Sequence, residues 1–295
     1  MKGWIRLNHP KIECLKRIRS KYWLPGENFL AEIVKSVRKS AQSGDIIAIS
    51  EKAISIAQGL MIDEAGVKPS LNARVLASLW MRLAWGYLLG PICRLKPETW
   101  RRLRGYPIDE GAKHKQLALE LSGPLQALRF GSEGGIDASN LPASYVSLPL
   151  PNPMKIAEKV HYALKAEAGI DAVILIVDSD KTYSFRSLHL APTPTALRGI
   201  KSGGGILYYV LGRLLKLRPR STPKALYPPE ALNVEDALEL AEIAHQAMGA
   251  GAGKTVWDMA ERFGVNLTGV TWNMLMKVKH YPIVILRLKR WKAKI

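Results

Sequence analysis

Apolar residues return at two different periods along this chain, and the alternation between them outlines its elements. Leu30, Ile33, Val34 and Val37 recur at helical spacing, as do Ala157, Val160 and Leu164 within residues 154–167. Val234, Leu238, Ala241, Ala244 and Met248 predict a helix over 234–248, and TVWDMAERFG predicts another directly after it. Three short continuous apolar runs read instead as strands: IIAIS at 46–50, AVILIV at 172–177 and PIVILRL at 282–288. The second run closes on Asp178, Ser179 and Asp180, and with a helix before it reads as a central strand buried on both faces. Glycine and proline supply the punctuation, at Pro25-Gly26, at Gly44-Asp45, in GSEGGIDASN, in LPLPNP and through the loop 192–205. Basic ETWRRLRGYP and the polar stretch around 113–121 add helical pieces. The pattern predicts an α/β protein of the mixed α+β kind, mixed sheets with packed helices.

One segment departs from both periods. ASLWMRLAWGYLLGPICRL, residues 77–95, is apolar throughout and nearly long enough to span a bilayer. Arg82 near its middle and Gly90-Pro91 argue against a span, so a buried helix or a dimer contact is expected. An interfacial helix is the alternative, because Trp80, Trp85, Tyr87, Arg82 and Arg94 are residue types that sit at headgroup level. The segment marks off a Trp-rich insert, 77–105, within a domain of 23–250 that divides into lobes 23–150 and 151–250. A basic leader, 1–22, precedes the domain, and 251–295 follows it as helix, strand and basic tail.

Charge changes the picture more than composition does. The 295 residues contain 43 lysines and arginines against 25 carboxylates, a formal net charge of +18, which implies an anionic partner: nucleotide, nucleic acid, phosphorylated metabolite or membrane surface. Hydrophobic residues make up 47% of the chain, enough for a globular core. Only Cys14 and Cys93 occur, too few for a disulfide framework or a thiolate zinc site, and the charged N-terminus lacks a signal-peptide core, so a cytoplasmic location is expected. The six histidines show no H-x-x-x-H or H-E-x-x-H spacing and no G-x-S-x-G elbow occurs, which leaves zinc hydrolases and α/β-hydrolases without support.

Several clusters could carry phosphate chemistry. MGAGAGKTVW, 248–257, resembles a phosphate loop, but Met248 stands where the first glycine belongs and a helix leads in where a strand should. A helix C-cap and turn before a second helix is the better reading. Asp178, Asp180 and Ser179 offer hard oxygen ligands for Mg²⁺ or Mn²⁺ at the end of a buried strand; a helix or turn cap with one solvated carboxylate explains them equally well. In GSEGGIDASN, Glu133 and Asp137 could bind metal and Asn140 could orient a phosphate, against a plain glycine turn with an Asx cap. Glu235, Glu239 and Glu242 fall on one helix face, usually a solvated stripe. Lys181, Arg186, Arg198 and Lys201 follow Asp178 and would suit a polyphosphate, or belong to the generally basic surface. WRRLRGY could stack on RNA, without an accompanying RNA-binding signature.

Four stretches, taken in order, resemble one family. GDIIAISEKAISIAQG is similar to the first strand and Lys/Ser-rich turn of the gamma-glutamyl ligases of the deazaflavin coenzyme F-420. GSEGGIDASNLP resembles that family's glycine-acidic-Asn segment, VILIVDSD its strand ending in Asp-Thr, and LELAEIAHQAMG its later helix; together they cover residues 44–249. The resemblance implies a homodimeric, GTP-dependent amide ligase that phosphorylates a carboxylate and lets the amine of L-glutamate displace the phosphate, with Mg or Mn and a monovalent cation as cofactors. By position, Asp137, Asp178, Ser179 and Glu239 would be metal ligands, and Lys52 and Ser55 would touch the nucleotide or an anionic small-molecule substrate. Asp180-Lys181-Thr182-Tyr183 stands where the family continues Phe-Gly-Arg-Pro, which marks a divergent branch. The competing expectation is a non-catalytic homologue that binds RNA, a membrane surface or another polyanion through its basic face.

Overall fold

The computed structural model describes residues 3–289. Ten strands occur among them: β1 (Trp4–Arg6), β2 (Ile12–Ser20), β3 (Ile46–Ser50), β4 (Met61–Asp63), β5 (Tyr145–Ser147), β6 (Val173–Phe185), β7 (Leu188–Ala191), β8 (Lys201–Ser202), β9 (Arg218–Tyr227) and β10 (His280–Leu288). β4 and β5 form a separate antiparallel pair. The others make one mixed sheet in the order β1-β2-β10-β3-β6-β7-β8, with β9 also on β6. The mixed α/β class expected from the sequence is therefore observed.

Strand alternation explains why the central runs read as continuously apolar. Ile47, Ile49, Ile174, Ile176, Ile283 and Ile285 point to one face, where the helices Phe29–Val37, Glu51–Ala57 and Pro153–Ala168 cover them. Their neighbours Ile46, Ala48, Leu175, Val177, Val284 and Leu286 point to the other, beneath the helix Val234–Met248. Both faces are dry, so neither register of these strands can be polar.

The expected boundaries at 22 and 250 do not coincide with any break in this sheet. β2 from the basic leader and β10 from the C-terminal segment lie side by side, and β10 is wedged between β2 and β3. The segments meet because each supplies a strand whose apolar positions need a partner. The basic tail beyond Lys289 and the first two residues lie outside the described residues.

β6 is longer than its apolar run suggests, and its excess length creates an opening. β3 pairs with it in parallel from Val173 to Val177 and then stops at Ser50. β7 joins that same edge only at Tyr183. Residues 178–182 therefore have no strand on this side, while on the other edge the pairing with β9 shifts register between Asp178 and Lys181. The bulge leaves Ser179 and Asp180 unpaired and re-aims their side chains. Asp178 and Asp180 thus lie inside a long strand rather than at its end.

The first part of the Trp-rich insert lies on a helix, Leu71–Ile92, and the expectation of a buried helix holds for one of its faces only, the other being exposed. Over Leu76–Leu89 it winds as a π-helix, which takes more than four residues per turn rather than 3.6. Residues four apart then stay nearly aligned, and Ala73, Ala77, Met81 and Trp85 form one buried row. Trp80 and Trp85 both donate their indole N–H to the Leu128 carbonyl at 2.8 Å. Trp85 also meets Phe130 and Tyr209 with ring centroids 4.9 and 5.8 Å apart, and Tyr209 meets Tyr183 of β6 at 5.9 Å. This aromatic chain ties the insert to the sheet.

Ile285 is fully buried in β10, between two partner strands. Ile285→Ala is expected to destabilise the fold by about 2–5 kcal/mol through lost contacts and an unfilled cavity. Denaturant unfolding should show one lowered transition if β10 belongs to the same cooperative unit as β3 and β6; a separate early transition would contradict that.

Candidate functional site

The opening beside residues 178–182 is the mouth of a cleft of about 1270 Å³. Among the segments that line it are the turn after β3, the glycine-rich loop 131–140, the bulged middle of β6, and the end of the helix Val234–Met248 with the glycine loop after it. The insert adds Thr99, Arg102 and Leu103 to the lining, and Tyr106 follows directly after it.

Each wall is placed by local chemistry. Ser50 ends β3 and caps the helix Glu51–Ala57, its hydroxyl accepting from Ala53 N–H, so Glu51 and Lys52 fall in the first turn beside β6. Lys52 Nζ pairs with Asp137, and donates to Ser139 Oγ at 2.7 Å and to the Ser139 carbonyl at 3.1 Å. Asp137 Oδ1 accepts the Ser139 N–H at 2.7 Å, an Asx turn that fixes the loop. Asn140, in the left-handed region at φ 58°, holds the glycine loop: its Oδ1 accepts from Ala252 N–H at 2.6 Å and its Nδ2 donates to the Gly253 carbonyl at 3.0 Å. Gly251, at φ +61°, has no room for a side chain, since a Cβ there would stand 2.5 Å from Asn140 Oδ1.

The loop 249–255 is a C-cap followed by a turn, and Thr255 caps the next helix, Val256–Phe263, in a capping box. The phosphate-loop alternative is absent in form. Gly249, Gly251, Gly253, Lys254 and Thr255 nevertheless line the cleft.

Behind the opening lies a buried set of charges. Lys224 of β9 reaches Asp178 Oδ2 at 3.2 Å and Glu51 Oε2 at 3.5 Å. Glu51 also accepts the Leu150 N–H at 3.1 Å. Arg129 approaches Asp180 at 3.4 Å. Burial pushes the Glu51 carboxyl up to about 7 against the pull of Lys224, and pushes Asp180 up to about 6 against Arg129. For Asp178 burial acts the same way, but Lys224 outweighs it and holds the carboxyl below its ordinary value. At the rim Lys181 donates to Glu242 Oε2 at 2.6 Å and to Ser221 Oγ at 2.9 Å. Burial alone would raise Glu242, yet hydrogen bonds from Lys181, Ser221 and Gln246 hold it at about 2.

The fit to a divalent ion rests on oxygen chemistry. Asp137, Asp178 and Ser179 present hard donors to one space, and the buried Asp178 Oδ2 lacks a well-aligned hydrogen bond. Lys52 pairs with Asp137, and its positive charge adds a weaker pull, behind that of Lys224, that favours the ionised form of Asp178. No three His, Cys, Asp or Glu side chains converge as a metal cage among the described residues. An ion bound here would complete its shell with phosphate oxygens and water, the usual arrangement for Mg²⁺.

Residues 17–255 match the family described as F420-0:Gamma-glutamyl ligase. The chain belongs to that family. It is also similar to the uncharacterized protein MJ1361 of Methanocaldococcus jannaschii, 34% identical over 287 residues, covering 92% of this chain and 95% of the relative. A family of gamma-glutamyl ligases supports a ligase role in coenzyme F-420 biosynthesis.

Of the residues singled out in the sequence, the ligase fold brings Lys52, Asp137, Asn140, Asp178, Ser179 and Lys181 to the cleft. Ser55 instead faces the interior, buried and without a hydrogen-bond partner for its Oγ. Arg198 and Lys201 are exposed, Lys201 on the edge strand β8 and away from the cleft lining. Glu239 lies outside the cleft and meets His9 at 3.2 Å. Three residues along the same helix, Glu242 takes the place in the cleft wall. Glu235, the third of that stripe, pairs with Arg220, Nη2 donating at 3.2 Å. The stripe therefore serves three unrelated partners.

Sequence reasoning missed Glu51, Lys224, Arg129 and His114. Glu51 had a usable signal, since it follows the strand whose end makes the site. His114 bridges two carboxylates, 2.6 Å from Glu64 and 2.8 Å from Glu133, on the cleft wall. Burial would lower its pKa, but Glu64 and Glu133 more than reverse this and hold the imidazolium up to about 10.

That raised value sets a pH window. Unfolded histidine titrates near ~6.5, so the bridge contributes fully below that pH and its contribution fades as pH rises through about 10. The stability advantage of the wild type over His114→Gln, measured by chemical denaturation, should be constant up to roughly pH 6.5 and shrink steadily toward pH 10. A gap independent of pH would mean that His114 is neutral in the fold.

Proposed function

We infer that the protein is a GTP- and divalent-metal-dependent ligase, adding glutamate or a similar amine to a carboxylate of a coenzyme F-420-like substrate. The observation that carries this is the convergence of Asp137, Asp178 and Lys52, from three distant segments, on one cleft at the end of the β3–β6 ladder. A family match over residues 17–255 supports the same reading.

The chemistry follows from what the walls can hold. Transfer of the terminal phosphoryl group of GTP to a substrate carboxylate gives an acyl phosphate and GDP; attack by the amine then forms the amide bond and releases phosphate with a proton. Phosphoryl transfer requires positioning and neutralisation of spreading negative charge. A divalent ion on Asp137, Asp178 and Ser179 would supply Lewis acidity toward the phosphate oxygens. Lys52 and Lys254 place cations at the mouth, and the N–H groups of the glycine loop offer donors to an anion. Lys224 sits behind Asp178 and Glu51 and keeps Asp178 ionised, hence able to act as a ligand. A cytoplasmic site of action fits the two buried, unpaired thiols, Cys14 and Cys93.

Calorimetric titration with GTP, with and without Mn²⁺, tests the reading. Wild-type binding should require Mn²⁺, and Asp178→Asn should weaken it by at least roughly 10–100-fold. Glu239→Gln, outside the cleft, should bind as wild type does. Binding of GTP that ignores Mn²⁺, or metal-independent binding of RNA in its place, would favour the non-catalytic polyanion-binding alternative.

A further inference from the structure

The insert helix buries one row and exposes another. Opposite Ala77, Met81 and Trp85 stand Val75, Leu79, Leu83 and Tyr87, again four apart, and the π winding keeps them in line along the outside. Leu79 and Leu83 are each 55% exposed, far more than a core helix leaves to water. Beside this helix lies a second one, Gly205–Leu214. Its Ile206, Tyr209 and Val210 pack inward against Trp85 and Met81, and Arg213 bonds the carbonyls of Cys93 and Arg94. Its outer side shows Leu207, Leu211 and Leu214 at i, i+4 and i+7, with Leu215 61% exposed just beyond. Two neighbouring helices therefore turn leucine faces outward, an apolar area of the kind that marks an interaction site.

The charge around this face selects its occupant. From residue 181 to 229 the chain carries nine lysines and arginines and no carboxylate; from 65 to 97 it carries five and none. These two segments build the face. Arg94, Lys96, Lys216 and Arg218 are exposed along its margin. At another margin Arg104 lies 4.0 Å from the ring centre of Tyr87 and 4.2 Å from that of Trp100, an amphipathic stack suited to headgroup depth. Two exposed carboxylates, Glu98 within the insert and Asp109 just after it, already face Arg102 at 2.7 Å and Arg74 at 3.9 Å. A second copy docked here about a two-fold axis would set cation against cation. An anionic lipid surface would neutralise the rim and take up the leucines.

We propose that this face, the outer rows of Leu71–Ile92 and Gly205–Leu214 with their basic margin, docks the protein onto the surface of an anionic bilayer. The helix lies along the membrane and does not cross it. Its inner row is locked under Leu103, Tyr106 and Ile206, and Arg82 Nε at its middle donates to the Tyr106 carbonyl at 2.7 Å. Apolar insertion and lipid charge act together, as for other amphipathic helices in the interface. The proposal does not depend on which ligand the cleft takes.

Vesicle sedimentation of the full chain tests it, using phosphatidylcholine alone and phosphatidylcholine mixed with phosphatidylglycerol. The wild type should pellet with the anionic vesicles, remain in solution with the neutral ones, and be partly released by salt. Leu83→Glu with Leu211→Glu should abolish pelleting, and Lys216→Glu with Arg218→Glu should weaken it by roughly tenfold or more. All these positions are exposed, and circular dichroism will show whether the variants stay folded. A wild type that stays in solution with both vesicle types overturns the proposal. So does a wild-type dimer, seen by light scattering, that Leu83→Glu splits into monomers while vesicles bind neither form.

Discussion

Everything distinctive about this molecule depends on five residues of β6 that lack a strand on one edge. A buried strand normally satisfies its backbone on both sides, and a gap is tolerated only where side chains, a bulge or solvent take over the hydrogen bonding. Here β3 stops at Ser50 and β7 begins opposite Tyr183, so 178–182 border a cleft. Lys224 from β9, on the other edge, then stands behind Asp178 and Glu51 and makes it tolerable to keep carboxylates under the sheet. Without that lysine the carboxylates would take up protons and lose their value as ligands.

The same gap explains why the site is assembled from distant segments. The turn after β3, the loop 131–140 and the glycine loop after Met248 are each short, and none could enclose a nucleotide alone. Lys52 ties the first to the second through Asp137, and Asn140 ties the second to the third through Ala252 and Gly253. Two side chains thus hold three loops in register. Such ties between irregular segments are how a site on loops gains the rigidity that phosphoryl transfer needs.

The insert has a double character that composition alone left undecided. It was expected to be buried, to join two subunits or to lie in an interface. Its inner row meets the first expectation, forming a third apolar cluster with Ile206 and Tyr106, while the cleft is lined by Thr99, Arg102 and Leu103 further along the insert. Its outer row has no covering element among the described residues. A wide π winding permits both at once, because rows spaced by four residues run parallel along opposite sides.

Much of the fold was legible in the chain. IIAIS, AVILIV and PIVILRL read as strands because both faces of the sheet are dry, and that requirement writes itself into every position. The helix at 234–248 and the C-cap at Gly249 were equally plain, since periodicity and capping are local. What the sequence could not determine was which strands become neighbours. β10 enters between β2 and β3, joining the two ends of the chain, and no local pattern records a pairing across more than two hundred residues. The division of roles along one helix was likewise hidden. Glu239 and Glu242 are equivalent by spacing, but only the packing of the helix on β6 and β9 turns Glu242 toward the cleft and Glu239 toward His9. Spacing settles which residues share a helix face; tertiary contact settles what that face meets.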